Sequence, residues 1–471
     1  MEFLPVLVAA VVAVLAYLAI VLADRRGSFW LAFLATLVPL EYVDRYFLDL
    51  PSALKWLPEL ALVGAGVAAL VLAPPARAPL PRGPLVAALL CLLVALVSKA
   101  VNHSSPVALV VSQRGLVLFF AALLAQRAAT GLYDVERRHA FLVGAGVVSA
   151  GVCFVQRVTV GRSEPDRVTG LFSLGEVVLF FHLCVIVLVL AYWVEGRRVG
   201  RWRAGLVVPW MVLSLAIGNQ EAAFPYLGLV FVYFLVRARR RRVALLTTGA
   251  ALGAATLLVF AALYDTQYRG ESERGFTDSL FSWAYLQRYF LGERHDVYTP
   301  SGDLLRGAAV VTAYREIEGS GTTLALGRGP GATSESAIAG AGGPLAVQYP
   351  GIGRVTLSLL LGEVGFLGLL AHLGFVLVLL RPRNVAGEPA EQRLYREAIL
   401  LLTVAYLVYV RLVYEPIFAW VLAGLVPLAA GVRAEPPLRP HTGPSGPSIK
   451  GPSRIHEASI DPESRPLRRS S

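Results

Sequence analysis

At 471 residues, with 56% of them hydrophobic and only 16% charged, the chain is too apolar for a water-soluble protein of its size. Its mean hydropathy is +0.62, and the runs 1–23, 57–73 and 243–263 approach or exceed the roughly 18 to 20 apolar residues that cross a bilayer core. A soluble enzyme, a secreted disulfide scaffold and a nucleic-acid-binding module are therefore excluded, and the sequence implies an all-α polytopic membrane protein with the lipid bilayer as its surroundings.

Predominantly apolar runs predict spans over 3–23, 28–43, 57–73, 84–101, 107–125, 140–159, 171–193, 206–219, 221–236, 243–264, 355–380, 396–413 and 416–432, twelve or thirteen transmembrane helices in all. The second is the weakest, being interrupted by Pro39 and Glu41. Arginine decides the sidedness, because basic residues in short loops resist translocation. Twenty arginines, from Arg25 and Arg26 through Arg239–Arg242 to Arg396, fall in every second connection; the alternating set holds only Arg45, Lys55, Lys99, Arg157, Arg162, Arg167 and Arg411. This pattern predicts a cytoplasmic C-terminus, and it explains most of the net charge of +11 as topological anchoring. The first segment lacks a basic flank before it, so a cleaved signal peptide is not expected. Cys91, Cys153 and Cys184 lie inside apolar runs and read as small core residues.

The domain plan that follows is spans over 1–264, one large extracytoplasmic loop over 265–350, further spans over 351–433 and a disordered tail over 434–471. Within the loop, 278–291 and 304–317 carry enough apolar residues for short amphipathic helices lying on the bundle or the membrane. The glycine-rich stretch 319–353 follows. Its Gly327-Arg328-Gly329-Pro330-Gly331 run has no strand before it, which excludes a nucleotide cradle and leaves a flexible loop over a membrane site.

Ionisable residues at bilayer depth are the informative ones, since Arg or Asp at a helix centre costs about 2.5 to 3.5 kcal/mol. Arg114 lies roughly 10 Å inside its span, and Arg157 sits near the outer end of the next, with Arg162 and Arg167 beyond it. Glu176, His182, Glu363 and His372 fall in later spans. Arginines gathered toward the extracytoplasmic face, against the topological rule, point to an anion site, because a fixed guanidinium fork matches phosphate oxygens. A lipid-linked pyrophosphate is the obvious membrane-embedded anion. Glu176 and Glu363 also read as partners of these arginines, and His182 and His372 as buried, hydrogen-bonded histidines.

Three segments carry a family resemblance: Gln156-Arg157 with Arg167-Val-Thr-Gly170-Leu-Phe-Ser; Arg306 with Tyr314-Arg315-Glu316-Ile317 and Leu326-Gly327-Arg328-Gly329-Pro330-Gly331; and Leu359-Leu-Leu-Gly-Glu363-Val-Gly365-Phe-Leu-Gly368. In order and spacing, over about 150–370, they resemble the O-antigen ligase and Wzy-type polymerase superfamily of bacterial envelope glycan enzymes. There are two departures. Arg354 stands where the family's ligases place a histidine, the nearest loop histidine being His295, and Gly218-Asn219-Gln220-Glu221 replaces a Ser-Arg-Gly. Both weaken the ligase assignment in particular and leave a polymerase or a divergent relative favoured.

The resemblance implies an inner-membrane glycosyltransferase of polysaccharide biosynthesis that needs no cofactor, metal or nucleotide. Its substrate would be an undecaprenyl-pyrophosphate-linked oligosaccharide, and a chain-length regulator would be its protein partner. Arg114, Arg157, Arg167, Arg306, Arg315, Arg328 and Arg354 are the expected diphosphate ligands, and Glu363 or Glu316 the expected base. A ligase acting on another lipid and a non-enzymatic flippase of lipid-linked sugars are the alternatives.

Overall fold

Apolar runs bounded by arginine, proline and glycine fold as helices in the computed structural model. It describes residues 25–37, 56–72, 82–129, 134–159, 168–172, 174–196, 198–218, 220, 222–238, 242–268, 303–334, 343–380, 389–411, 413 and 415–426, with positions 19, 287 and 298. In chain order these hold α1 (Arg25–Ala35), α2 (Leu57–Leu72), α3 (Arg82–Asn102), α4 (Pro106–Ala128), α5 (Val135–Thr159), α6 (Gly175–Val194), α7 (Arg198–Ile217), α8 (Ala223–Arg237) and α9 (Arg242–Tyr268). After them come α10 (Arg306–Ile317), α11 (Gly321–Leu326), α12 (Pro344–Gln348), a 3-10 turn (Ile352–Arg354), α13 (Thr356–Leu380), α14 (Ala390–Tyr406) and α15 (Pro416–Gly424). No strand occurs among the described residues, only an isolated bridge between Tyr298 and Leu304.

The protein is an all-α polytopic membrane protein: among the described residues, α3, α4, α5, α6, α9 and α13 contain stretches long and apolar enough to cross a bilayer. Apart from positions 19 and 287, the predicted span 3–23, the amphipathic segment 278–291 and the tail 434–471 lie outside the described residues. Of the predicted span 28–43, residues 28–37 are described and residues 38–43 lie outside the described residues. α1 ends at Ala35, where the Thr36 hydroxyl and amide both bond back to the Phe33 carbonyl and tighten the last turn, so the helix is about 16 Å long.

α6 occupies the middle of the bundle. It is apolar all round and buried on nearly every face, as a core helix must be. His182 on α6 joins three helices through Ser149 of α5 at 3.2 Å and Ser214 of α7 at 3.0 Å. The Ser214 hydroxyl donates to the Met211 carbonyl, so it accepts from His182 Nδ1, and Nε2 accepts from Ser149. The predicted buried, satisfied histidine is what this arrangement contains. α2 and α4 cross where Gly66 meets Ala121; a Cβ on Gly66 would lie 2.6 Å from the Ala121 Cα, and small residues at such a crossing are what let two membrane helices touch.

One end of the bundle gathers the C-termini of α3, α5 and α14 and the N-termini of α2, α4, α6 and α13. Here Gln156, buried at the end of α5, accepts from the Thr169 and Gly170 amides at 2.9 and 2.7 Å and donates to the Gly170 carbonyl at 2.9 Å. Gly170 has φ +58°, and a Cβ there would meet the Ser149 Oγ at 2.6 Å. The Gln-Arg and Thr-Gly-Leu-Phe segments of the sequence are thus two halves of one turn.

Candidate functional site

α13 is broken. Gly365 has φ +66° and ψ −165°, outside the helical region, and the chain from α11 to Thr333 seats against this break. The carbonyls of Gly362 and Glu363 turn outward to accept from the amides of Arg328 at 2.8 Å and Gly329 at 3.1 Å. From the other side, the Ser98 hydroxyl of α3 is shared between the Leu326 and Glu363 carbonyls at 2.6 and 3.1 Å, and Asn102 donates to the Gly327 carbonyl at 3.3 Å. Non-helical backbone at membrane depth persists only where its polar groups find partners inside the protein, and these bonds supply them.

Glycine is required by this fit. Gly327, Gly329 and Gly331 have φ of +70°, +102° and +81°, and a Cβ would clash with Glu363, Ser104 and Ala108 respectively. The expected flexible loop is therefore corrected: residues 329–333 are buried and wedged between α3, α4 and α13. Hydrogen bonds to the helix break, and glycines that let the backbone approach α3, α4 and α13 closely, hold it there.

Glu363 locks the wedge. It is 1% exposed, and its carboxylate accepts from the Ser112 hydroxyl of α4 at 2.5 Å, the Thr333 hydroxyl at 3.0 Å and the amides of Gly331 and Thr333. Among the described residues no arginine pairs with it. Both carboxylate oxygens are thus engaged by residues 331–333 and α4. Glu316, the other expected base, is reachable from solvent. It accepts from the Tyr349 hydroxyl at 2.8 Å, and its carbonyl and carboxylate accept from Arg328 at 2.9 and 3.4 Å. The bond to this carboxylate holds the Tyr349 phenol above its ordinary pKa range.

Arg306 opens α10 and reaches into the bundle end. Its Nε donates to the Tyr409 carbonyl at 3.0 Å, a terminal nitrogen meets Glu176 of α6 at 2.8 Å, and its plane lies 4.4 Å from the Tyr409 ring centre. Tyr409 continues into Tyr406 and Tyr226, the latter two stacked at 4.4 Å. Glu176 thus partners an arginine, as expected, and the arginine is Arg306. Arg354 pairs with Asp303, and Arg315 is exposed on α10. α10 itself buries Ala308, Ala309, Ala313 and Ile317 against α13, as the amphipathic pattern over 304–317 predicts.

Arg114 faces elsewhere. Two residues from Ser112, it projects about 200° around α4 and meets α2, with Nε 3.9 Å from Glu59 and its plane 4.9 Å from the Trp56 ring. Arg157 is half-buried at the end of α5. Arg167 lies outside the described residues. The described segments 303–334 and 343–363 therefore bring Arg306, Arg315, Arg328 and Arg354 together, and Arg114 lies on another side of α4. Ser98, Asn102, Ser112 and Thr333 were missed by the sequence reading; small polar residues inside apolar spans, which commonly bond between helices, were the available signal.

No family model matches this chain, and no curated protein does.

Proposed function

We propose that the protein is an envelope polysaccharide polymerase of a bacterial inner membrane, with its C-terminus cytoplasmic. It transfers a glycan from an undecaprenyl-pyrophosphate carrier to a sugar hydroxyl on a second lipid-linked unit. The observation that supports this reading is the pair of segments 303–334 and 343–363, hydrogen-bonded to one another and to α13, which carry Arg306, Arg315, Arg328 and Arg354 at one end of a membrane bundle.

The transfer breaks the bond between the anomeric carbon and the pyrophosphate oxygen, and the leaving group departs with the electron pair. Positioned guanidinium groups stabilise that developing charge without reorganising. Glu316 takes the proton of the acceptor hydroxyl, with Arg328 beside it, and Glu363 is a positioning residue for the wedge. Arg306 is held by Glu176 and Tyr409 so that its orientation is fixed before a diphosphate arrives.

Glycan length profiling in a deletion strain tests this. Complementation with Arg328→Gln or Arg306→Gln should give single repeats at normal protein abundance. Long polymer at the level of the unsubstituted protein would sink the proposal. Long unattached polymer in the deletion strain would indicate a ligase instead, and precursor retained at the inner face a flippase.

A further inference from the structure

α3 packs chiefly against α13, and α2 against α4, which leaves a cleft of about 360 Å³ between α2, α3 and α4. The walls are almost wholly apolar. Val67, Leu89 and Val117 on its lips are exposed, as the lipid-facing residues of spans are. The cleft is thus continuous with the surface that meets bilayer.

One end of it is polar. Glu59 lies one turn from Val63, and Arg114 one turn from Val117, so the Arg114, Glu59 and Trp56 group stands directly beyond the apolar walls. Arg114 lies roughly 12 Å along α4 from Pro106, yet its side chain reaches the first turn of α2, the direction in which an arginine snorkels toward headgroups. Gln113 also lines the cleft. It is 5% exposed, and its Oε1 accepts no hydrogen bond from the protein. Its amide cannot be flipped to cure this, because Nε2 donates to a Ser112 hydroxyl whose own proton is given to Glu363.

We propose that this cleft is a binding site for an anionic phospholipid, with one acyl chain between α2, α3 and α4 and the phosphate on Arg114. A guanidinium has five N–H donors, so the phosphate shares it with Glu59. The buried Gln113 oxygen requires a donor, which favours a headgroup bearing hydroxyls, such as glycerol. Arg114 and the lips of the cleft face away from Glu363, although Gln113 touches the Ser112 that bonds it. A bilayer phospholipid is the amphiphile that this lipid-facing surface meets.

The test uses the full chain purified in detergent, with native mass spectrometry and thermal melting after addition of phosphatidylglycerol, phosphatidylcholine of the same chains, or a polyprenyl monophosphate. Phosphatidylglycerol should be retained and raise Tm by several degrees, and phosphatidylcholine should do neither. Arg114→Gln should weaken retention at least tenfold, Leu89→Trp should abolish it by filling the cleft, and Glu59→Gln should strengthen it by removing the competing anion. The last direction is opposite to that of a merely damaged fold. Equal retention of both phospholipids, unchanged retention in Arg114→Gln or Leu89→Trp, or displacement by the polyprenyl phosphate would each overturn the proposal. Glycan profiling reads the other site, so the two can fail independently.

Discussion

Gly365 and Gly327 meet backbone to backbone: a Cβ on Gly365 would stand 2.5 Å from the Gly327 amide nitrogen, and both residues have positive φ. Neither tolerates a side chain. Gly365→Ala and Gly327→Ala should each destabilise by about 2 kcal/mol or more, from strained backbone and displaced hydrogen bonds together. Limited proteolysis checks this, with cleavage within 327–333 expected in the variants and absent from the unsubstituted protein.

Glu363→Gln replaces an acceptor-only carboxylate by an amide whose NH2 confronts donors. At roughly 1.5–3 kcal/mol for a bond to a charged group, the substitution should lower Tm and release 331–333. Protein abundance and glycan transfer should then fall together. Lost transfer at unchanged Tm would instead mark Glu363 as a catalytic group.

Arg306→Lys keeps the charge but not the fork that spans Glu176, the Tyr409 carbonyl and the Tyr409 ring. Glycan chain formation should fall at least tenfold with little change in melting, because a lysine cannot hold these partners and a diphosphate in one plane. Length profiling beside a melting curve separates the two effects.

Gln156→Ala removes three hydrogen bonds to the 168–172 turn and leaves the buried Thr169 and Gly170 amides without an acceptor. A loss of about 2–3 kcal/mol follows. Hydrogen exchange at the Thr169 and Gly170 amides should accelerate more than at Val185 in the core of α6.

The spans were legible because hydropathy acts over twenty residues, and α3, α4, α5, α6 and α13 match their predicted segments closely. For the candidate site, periodicity identified α10, and the Glu176–Arg306 pairing was foreseen in kind. The wedge was not foreseen. Gly-rich composition reads as flexibility when its hydrogen-bond partners, here Ser98, Asn102 and the α13 break, lie far away in sequence. The sidedness of Arg114 was lost for a different reason: depth in a span says how costly a charge is, and only packing says which neighbour it faces.

Four of the arginines, Arg114, Arg306, Arg328 and Arg354, each stand beside a carboxylate of their own, on Glu59, Glu176, Glu316 and Asp303. Such pairs cast little field beyond a Debye length, about 8 Å at physiological ionic strength. An anionic ligand diffusing in the membrane plane would then not be drawn in from a distance; it would be recognised only on contact, by sharing a guanidinium that a carboxylate already holds. Capture rates should accordingly be nearly insensitive to salt, unlike those of a site built from bare cations.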